Sequence, residues 1–153
     1  MSIFQSMNTS ASGLTSQRLR MDLVSSNLAN AQTTRATQNA DGEFEPYRRK
    51  MATFGTGQPS FKQMLKYAEG GNNSGDGVRA TGIVEDQTPF ELVYNPEHPD
   101  ANEDGYVEMP NVDPLKEMVD MMSASRSYEA NVTAFNASKG MLMKALEIGK
   151  KLK

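Results

Sequence analysis

The chain has 153 residues, room for one ordinary domain or two small units. Only 37% of them are apolar and mean hydropathy is −0.60, so any core is thin and an enzyme domain with a rich catalytic inventory is disfavoured. The absence of cysteine excludes disulfides, thiolate metal sites and cysteine nucleophiles, and 16 basic against 19 acidic residues argue against nucleic acid as the main partner.

From the N-terminus, Phe4, Met7, Ala11, Leu14, Arg18, Met21, Ser25 and Leu28 recur at steps of three and four, the spacing of a helical seam facing a partner helix. Ser2 and Gln5 form a capping-box start. The other faces carry Asn8, Thr9, Ser10, Ser12, Gly13, Thr15 and Ser16, all weak helix formers, so this helix is expected to persist only with external packing. The Asn and Thr cluster between Ser26 and Thr34 ends it. From Arg35 to Val112 the pattern changes to short runs bounded by Gly, Pro and Asn, and strands are predicted at Tyr47–Phe54, Val78–Glu85, Phe90–Tyr94 and Tyr106–Met109. Phe61–Ala68 permits a short helix, and the Gly-, Asn- and Ser-rich tract Glu69–Gly77 reads as a mobile loop. Asp113 as cap, Pro114 at the first helical position and Glu117 in the first turn then open a second helix. Its first stripe is Leu115, Met118, Val119 and Met122, continued by Met121, Ala124, Tyr128, Val132, Phe135, Leu142 and Leu146, with Lys139 the polar interruption. Lys150, Lys151 and Lys153 complement the helix dipole, and a helix running to the terminus is on the order of 60 Å long. The predicted fold class is α+β: long N- and C-terminal helices packed as a coiled-coil-like unit, residues 1–34 and 113–153, around a small strand-rich middle, residues 35–112.

Charge is laid out in blocks. Residues 1–34 hold Arg18, Arg20 and Asp22, residues 35–68 set six bases against three acids, residues 69–113 hold eleven acids against Arg79, and residues 114–153 return to seven bases against four acids. No run approaches the roughly eighteen apolar residues of a membrane span, so no transmembrane segment is predicted. Met1–Gln5 lacks a basic region, an apolar stretch and a small-residue cleavage site, so export is expected to need no removable signal.

Chemical motifs are sparse. Asp100-Ala101-Asn102-Glu103-Asp104-Gly105 matches the opening of a calcium loop, yet Asn111 stands where the closing Glu belongs and Pro99 and Pro110 occupy the flanks; the alternative is an acidic turn between two short strands. The glycines at 70, 71, 75 and 77 do not fit a phosphate cradle. His98 is the single histidine, so triads and zinc sites lack members. Arg48-Arg49-Lys50 reads as a strand edge facing an acidic neighbour, as a contact with the 85–108 region of an adjacent subunit, or as a nucleic-acid patch, in that order. The sequence therefore assigns no catalytic, cofactor-binding or metal-ligating residue.

Ser26-Asn27-Leu28-Ala29-Asn30-Ala31 followed by Thr33-Thr34 resembles the N-terminal signature of bacterial flagellar rod and hook axial proteins. Pro46–Lys50, Tyr94–Val107, Met109–Asp113 and Glu117–Val132 extend the resemblance over nearly the whole chain, outside about 58–77. Thr34-Arg35-Ala36 departs from the usual rod and hook ending and is similar to the proximal-rod branch. The resemblance implies a structural axial subunit of the basal body, exported by the flagellar type III apparatus and assembled into the tubular drive shaft around the export channel. It implies as partners further copies of the chain and the rod proteins FlgB, FlgF, FlgG and FliE. On this reading Phe4, Met7, Leu14, Met21 and Leu28 on one helix, and Leu115, Val119, Met122, Tyr128, Val132, Phe135, Leu142 and Leu146 on the other, form assembly interfaces, with Asn27, Leu28, Ala29 and Asn30 the family signature. The rival expectations are a secreted helical effector and a calcium- or ligand-binding module.

Overall fold

A computed structural model describes residues 3–38, 42–56, 65, 68 and 77–151. Helix α1 spans Ile3–Ala29 and helix α2 Pro114–Lys151. Between them the described residues form six strands in three two-stranded sheets: β1 (Thr37–Gln38) with β2 (Phe44–Glu45), β3 (Lys50–Thr56) with β4 (Val78–Glu85), and β5 (Glu91–Tyr94) with β6 (Tyr106–Met109). The α+β class and two of the four predicted strands, Val78–Glu85 and Tyr106–Met109, appear with the expected bounds. β3 begins three residues later than expected because the Tyr47 N–H donates to the Thr33 carbonyl at 3.0 Å and the Arg49 N–H to Asn111 Oδ1 at 2.8 Å instead of to a neighbouring strand. The short β1–β2 hairpin between residues 37 and 45 was not anticipated from the sequence. Leu65 and Ala68 are helical, whereas the rest of Phe61–Ala68, the tract 69–76 and the capping Ser2 lie outside the described residues.

The weak formers of α1 are accommodated by bonding to their own helix. Thr9 and Thr15 hydroxyls donate to the carbonyls of Gln5 and Ala11 at 3.0 and 3.1 Å, and Ser12 and Ser16 donate to Thr9 and Ser12 at 2.7 and 2.9 Å. Asn30 closes the helix, its Nδ2 donating to the Ser26 carbonyl at 2.9 Å. At the start of α2 the Asp113 carboxylate accepts from the N–H groups of Leu115 and Lys116 at 2.9 and 3.3 Å, the capping geometry its sequence predicts.

The chain divides into two compact units: residues 1–19, 53–82 and 124–153 in the first, residues 20–52 and 83–123 in the second. Buried apolar side chains are few among the described residues, namely Val24, Tyr47, Val107 and Val112 in the second unit and Ala124 in the first. The second unit contains the β5–β6 hairpin, registered by Glu91↔Met109 through Tyr94↔Tyr106, with the Tyr94 and Tyr106 rings edge to face at 5.3 Å. Its turn requires Gly105, at φ 78°, where a Cβ would also lie 3.0 Å from the Tyr94 ring. No helix among the described residues is long and apolar enough to cross a membrane.

Candidate assembly interface and its polar lock

In the second unit the last turns of α1, the start of β3 and the first turn of α2 converge on Asn27, which is 1% exposed. Its Nδ2 donates to the Lys50 carbonyl at 2.9 Å and to Glu117 Oε2 at 3.0 Å. Its Oδ1 accepts from the Tyr47 hydroxyl at 3.0 Å and from the Lys50 N–H at 2.9 Å. A carboxamide is the side chain that offers two donors and a two-fold acceptor in one plane, so Asn satisfies all four contacts where Asp or Leu would orphan some.

Glu117 is fully buried, and its Oε1 accepts from Arg49 Nε at 2.6 Å. Arg49 also faces Asp86 at 3.7 Å and Asp120 at 3.6 Å, while Asp120 accepts from Arg20 at 3.0 Å. A buried carboxylate is tolerable only with such pairing and hydrogen bonding. Asn111 completes the ring: its Oδ1 accepts from the Arg49 N–H at 2.8 Å, and its Nδ2 donates to the carbonyls of Asp86 and Thr88, each at 3.1 Å. The Thr88 N–H, donating to the Asp86 carboxylate at 3.0 Å, holds that carboxyl below its ordinary range, with the Thr88 hydroxyl and the Arg49 and Lys116 charges adding to the effect and burial opposing it. The Arg48-Arg49-Lys50 patch is thus spent inside the chain: Arg49 meets Asp86 of the same copy, Arg48 lies 4.3 Å over the Phe90 ring and Lys50 5.5 Å over Tyr47. The acidic neighbour of the first reading is intramolecular, which removes the reason to seek it in an adjacent subunit.

The acidic turn of the second unit is likewise self-satisfied. The Asp100 carboxylate accepts from the Thr34 hydroxyl at 2.8 Å and from Arg35 Nε at 2.7 Å, with the Arg35 Nη2 also bonded; Arg35 and then Thr34 lower its pKa, and the carboxylate in turn raises that of Arg35. Asn102 Oδ1 accepts from the N–H groups of Asp104 and Tyr106 at 3.0 and 2.8 Å. The oxygens at the first and third positions of the calcium-loop pattern are therefore engaged by the protein, and no carboxylate–histidine cluster suited to a metal occurs among the described residues.

In the first unit the two helices meet through small and polar groups. Ser6 Oγ donates to Ser138 Oγ at 3.3 Å, and Gly13 lies against Asn131, whose Oδ1 would stand 3.0 Å from an added Cβ. Asn131 Nδ2 donates to the Ser127 carbonyl at 2.8 Å. The start of β4 joins α1 through Ser12 Oγ, which accepts from the Val78 N–H at 3.1 Å, and Ser16, which donates to the Val78 carbonyl at 3.4 Å.

These contacts rise on α1 as they fall on α2, 6 with 138 and 13 with 131 in the first unit, 20 with 120 and 27 with 117 in the second, so the helices run antiparallel in each. On α1, Ser6, Gly13, Arg20 and Asn27 step by seven; their partners on α2 are Ser138 and Asn131 in the first unit and Asp120 and Glu117 in the second. This polar and small-residue repeat is the intramolecular seam, and a search for apolar spacing passes over it. The expected seam sits one position later on α1: Met7, Leu14, Met21 and Leu28 are half-buried and Phe4 is 68% exposed. On α2, Leu115, Val119, Met122 and Leu146 are exposed, whereas Tyr128, Val132, Phe135 and Leu142 are half-buried. Of the signature, Asn27 is buried, Leu28 and Asn30 are half-buried and Ala29 is exposed. Glu117, Arg49, Tyr47 and Asn111, the partners that give Asn27 its place, were not singled out as a cluster by sequence spacing.

Residues 7–37 match the family described as flagella basal body rod protein, and residues 103–148 match the C-terminal family of flagellar basal body rod FlgEFG proteins. The flagellar basal-body rod protein FlgC of Bacillus subtilis is 61% identical, covering 98% of this chain and 100% of its own length. FlgC proteins of Borreliella burgdorferi and Escherichia coli O157:H7 are 44% and 40% identical, each over 97% of this chain and over 98% and 99% of their own lengths. With a buried lock built on the signature asparagine and a likeness that runs from end to end, the chain belongs to the FlgC family of flagellar basal-body rod proteins.

Proposed function

We infer that this chain is a structural subunit of the rod of the bacterial flagellar basal body, polymerising through its terminal helices into the tubular drive shaft around the export channel. The observation that carries the reading is the end-to-end likeness to rod proteins. The exposed stripe Leu115, Met118, Val119 and Met122 supports it, since a stripe of this size at helical spacing stays in water only until a neighbouring subunit covers it. We place residues 1–34 and 113–153 in the inner helical part of the shaft and residues 35–112 outside it. The apolar positions set out above, from Phe4 to Leu28 on α1 and from Leu115 to Leu146 on α2, carry the packing. Further copies and the rod proteins FlgB, FlgF, FlgG and FliE are the neighbours, and the flagellar type III apparatus delivers the chain. The role is mechanical, with no catalytic residue assigned.

The test is a strain lacking the chromosomal copy and carrying a tagged chain. The expected result is restored motility and the tag in detergent-extracted basal bodies. Intact, rotating rods from which the tag is absent would overturn the reading.

A further inference from the structure

The second unit carries a cleft of about 440 Å³, of mixed polar and apolar surface, lined by Leu28 from the end of α1 and Gln32 just after it, Glu91 and Val93 from β5, Met109 at the end of β6 and Val112 beyond it. Glu91, Val93 and Met109 share one face of the β5–β6 hairpin, because Glu91 pairs with Met109 and Val93 lies two residues on. Glu91 is exposed and forms no ion pair among the described residues. Residues 85–108 hold eight acids and no Lys or Arg. Only Asp86 and Asp100 among them are paired with a base in the described residues.

The first unit offers a matching face. On α2, Lys139, Met143, Leu146 and Lys150 are spaced four, three and four apart, which sets them on one side of the helix with the apolar pair between two lysines. All four are exposed, Leu146 to 69%. Lys144, on another side, is already tied to Glu147 at 2.7 Å. Two apolar side chains flanked by lysines match a cleft of mixed surface, the apolar pair meeting Leu28, Val93, Met109 and Val112 and the lysines complementing its acidic rim.

We propose that the cleft receives the Met143–Leu146 face of α2 from a second copy of this chain, with Lys139 or Lys150 of the incoming helix meeting Glu91. The proposal rests on the reading of the chain as a rod subunit and names one contact within it. Cleft and helix face are different surfaces, so the contact is heterologous and each docked copy leaves another cleft open, as a growing shaft requires.

The chain contains no cysteine, which makes crosslinking a clean test. Two differently tagged copies, one with Glu91→Cys and one with Leu146→Cys, are co-expressed in cells lacking the native chain, and extracted basal bodies are oxidised. The expected product is a disulfide-linked pair bearing both tags, roughly tenfold above the yield with Thr133→Cys, a position on a different side of α2. Equal yields, no mixed pair, or closure within a single chain carrying both cysteines would overturn the docking. Should Glu91→Cys copies fail to enter rods, the pair Gln32→Cys with Lys150→Cys is read in the same way. As a second arm, Glu91→Lys lowers the yield of the Gln32 and Leu146 pair and Lys139→Glu with Lys150→Glu in the partner copy restores it; failure of the restoration counts against the charge contact. Rods that contain the chain without the crosslink refute the docking alone, whereas absence of the unsubstituted chain from rods refutes the subunit reading itself.

Discussion

Asn27 is a residue whose chemistry and position explain each other. Removing its carboxamide in Asn27→Ala strands the Lys50 amide groups, the Tyr47 hydroxyl and a Glu117 oxygen together, and the expected loss is about 3 kcal/mol in denaturant unfolding. Glu117→Ala leaves the mostly buried Arg49 without its nearest carboxylate, at an expected cost of about 3 to 5 kcal/mol, although Asp86 and Asp120 retain part of the interaction. Equal stability of either variant and the parent chain would show that the cluster is decorative. Asp86 and Asp100 both titrate below their unfolded value of about 3.8, so their contribution to stability is complete above that pH and drains away as pH falls through the lower folded values. Carboxyl NMR titration is expected to show the Asp100 midpoint moving up towards 3.8 in Arg35→Gln while that of Asp86 stays in place.

At the scale of elements, the helices were legible where their ends are chemically marked. Asp113 and Pro114 announce α2, and Asn30 with Ser26 announces the close of α1. What escaped the sequence was the seam, because pattern reading seeks apolar repeats and the contacts here are Ser with Ser and Gly with Asn in the first unit, Arg with Asp and Asn with Glu in the second. The position of Arg49 was equally opaque, since carboxylates from two segments, Asp86 after β4 and Glu117 with Asp120 on α2, select it and no local spacing encodes that convergence. Gly13 illustrates how close the helices lie in the first unit. Gly13→Ala gains helix propensity but pushes a Cβ to 3.0 Å from Asn131 Oδ1, so the two effects oppose. In an Asn131→Ala background the obstruction is gone, and the same substitution is expected to stabilise by about 1 kcal/mol. A double-mutant cycle by thermal unfolding reads the coupling; additivity would deny the close approach.

For the whole molecule, folding and the proposed assembly contacts draw on different side chains of the same helices. Polar and small residues fasten the chain to itself, and apolar residues such as Leu115, Val119 and Met122 are left outside. Paired charged substitutions Val119→Lys and Met122→Lys are therefore expected to change unfolding of the isolated chain by less than about 0.5 kcal/mol while abolishing its incorporation into rods. Loss of stability and assembly together would place those side chains in the core instead. This separation also explains why the thin core predicted from composition is compatible with a well-defined fold: the hydrogen-bonded cluster fixes geometry that a handful of buried Val, Ala and Tyr side chains could not fix alone.

Asn27 and Glu117 touch each other although they lie ninety positions apart in the chain. During synthesis, which proceeds from the N-terminus, a nascent polypeptide presents Asn27 and Arg49 long before their common acid exists. A truncated product ending between residues 87 and 116 keeps Asp86 beside Arg49 but lacks that cation's nearest carboxylate and one acceptor of Asn27, so its second unit forms without the buried pair. The buried pair of the second unit is therefore completed only once the first turn of α2 has been made, by a late-arriving carboxylate.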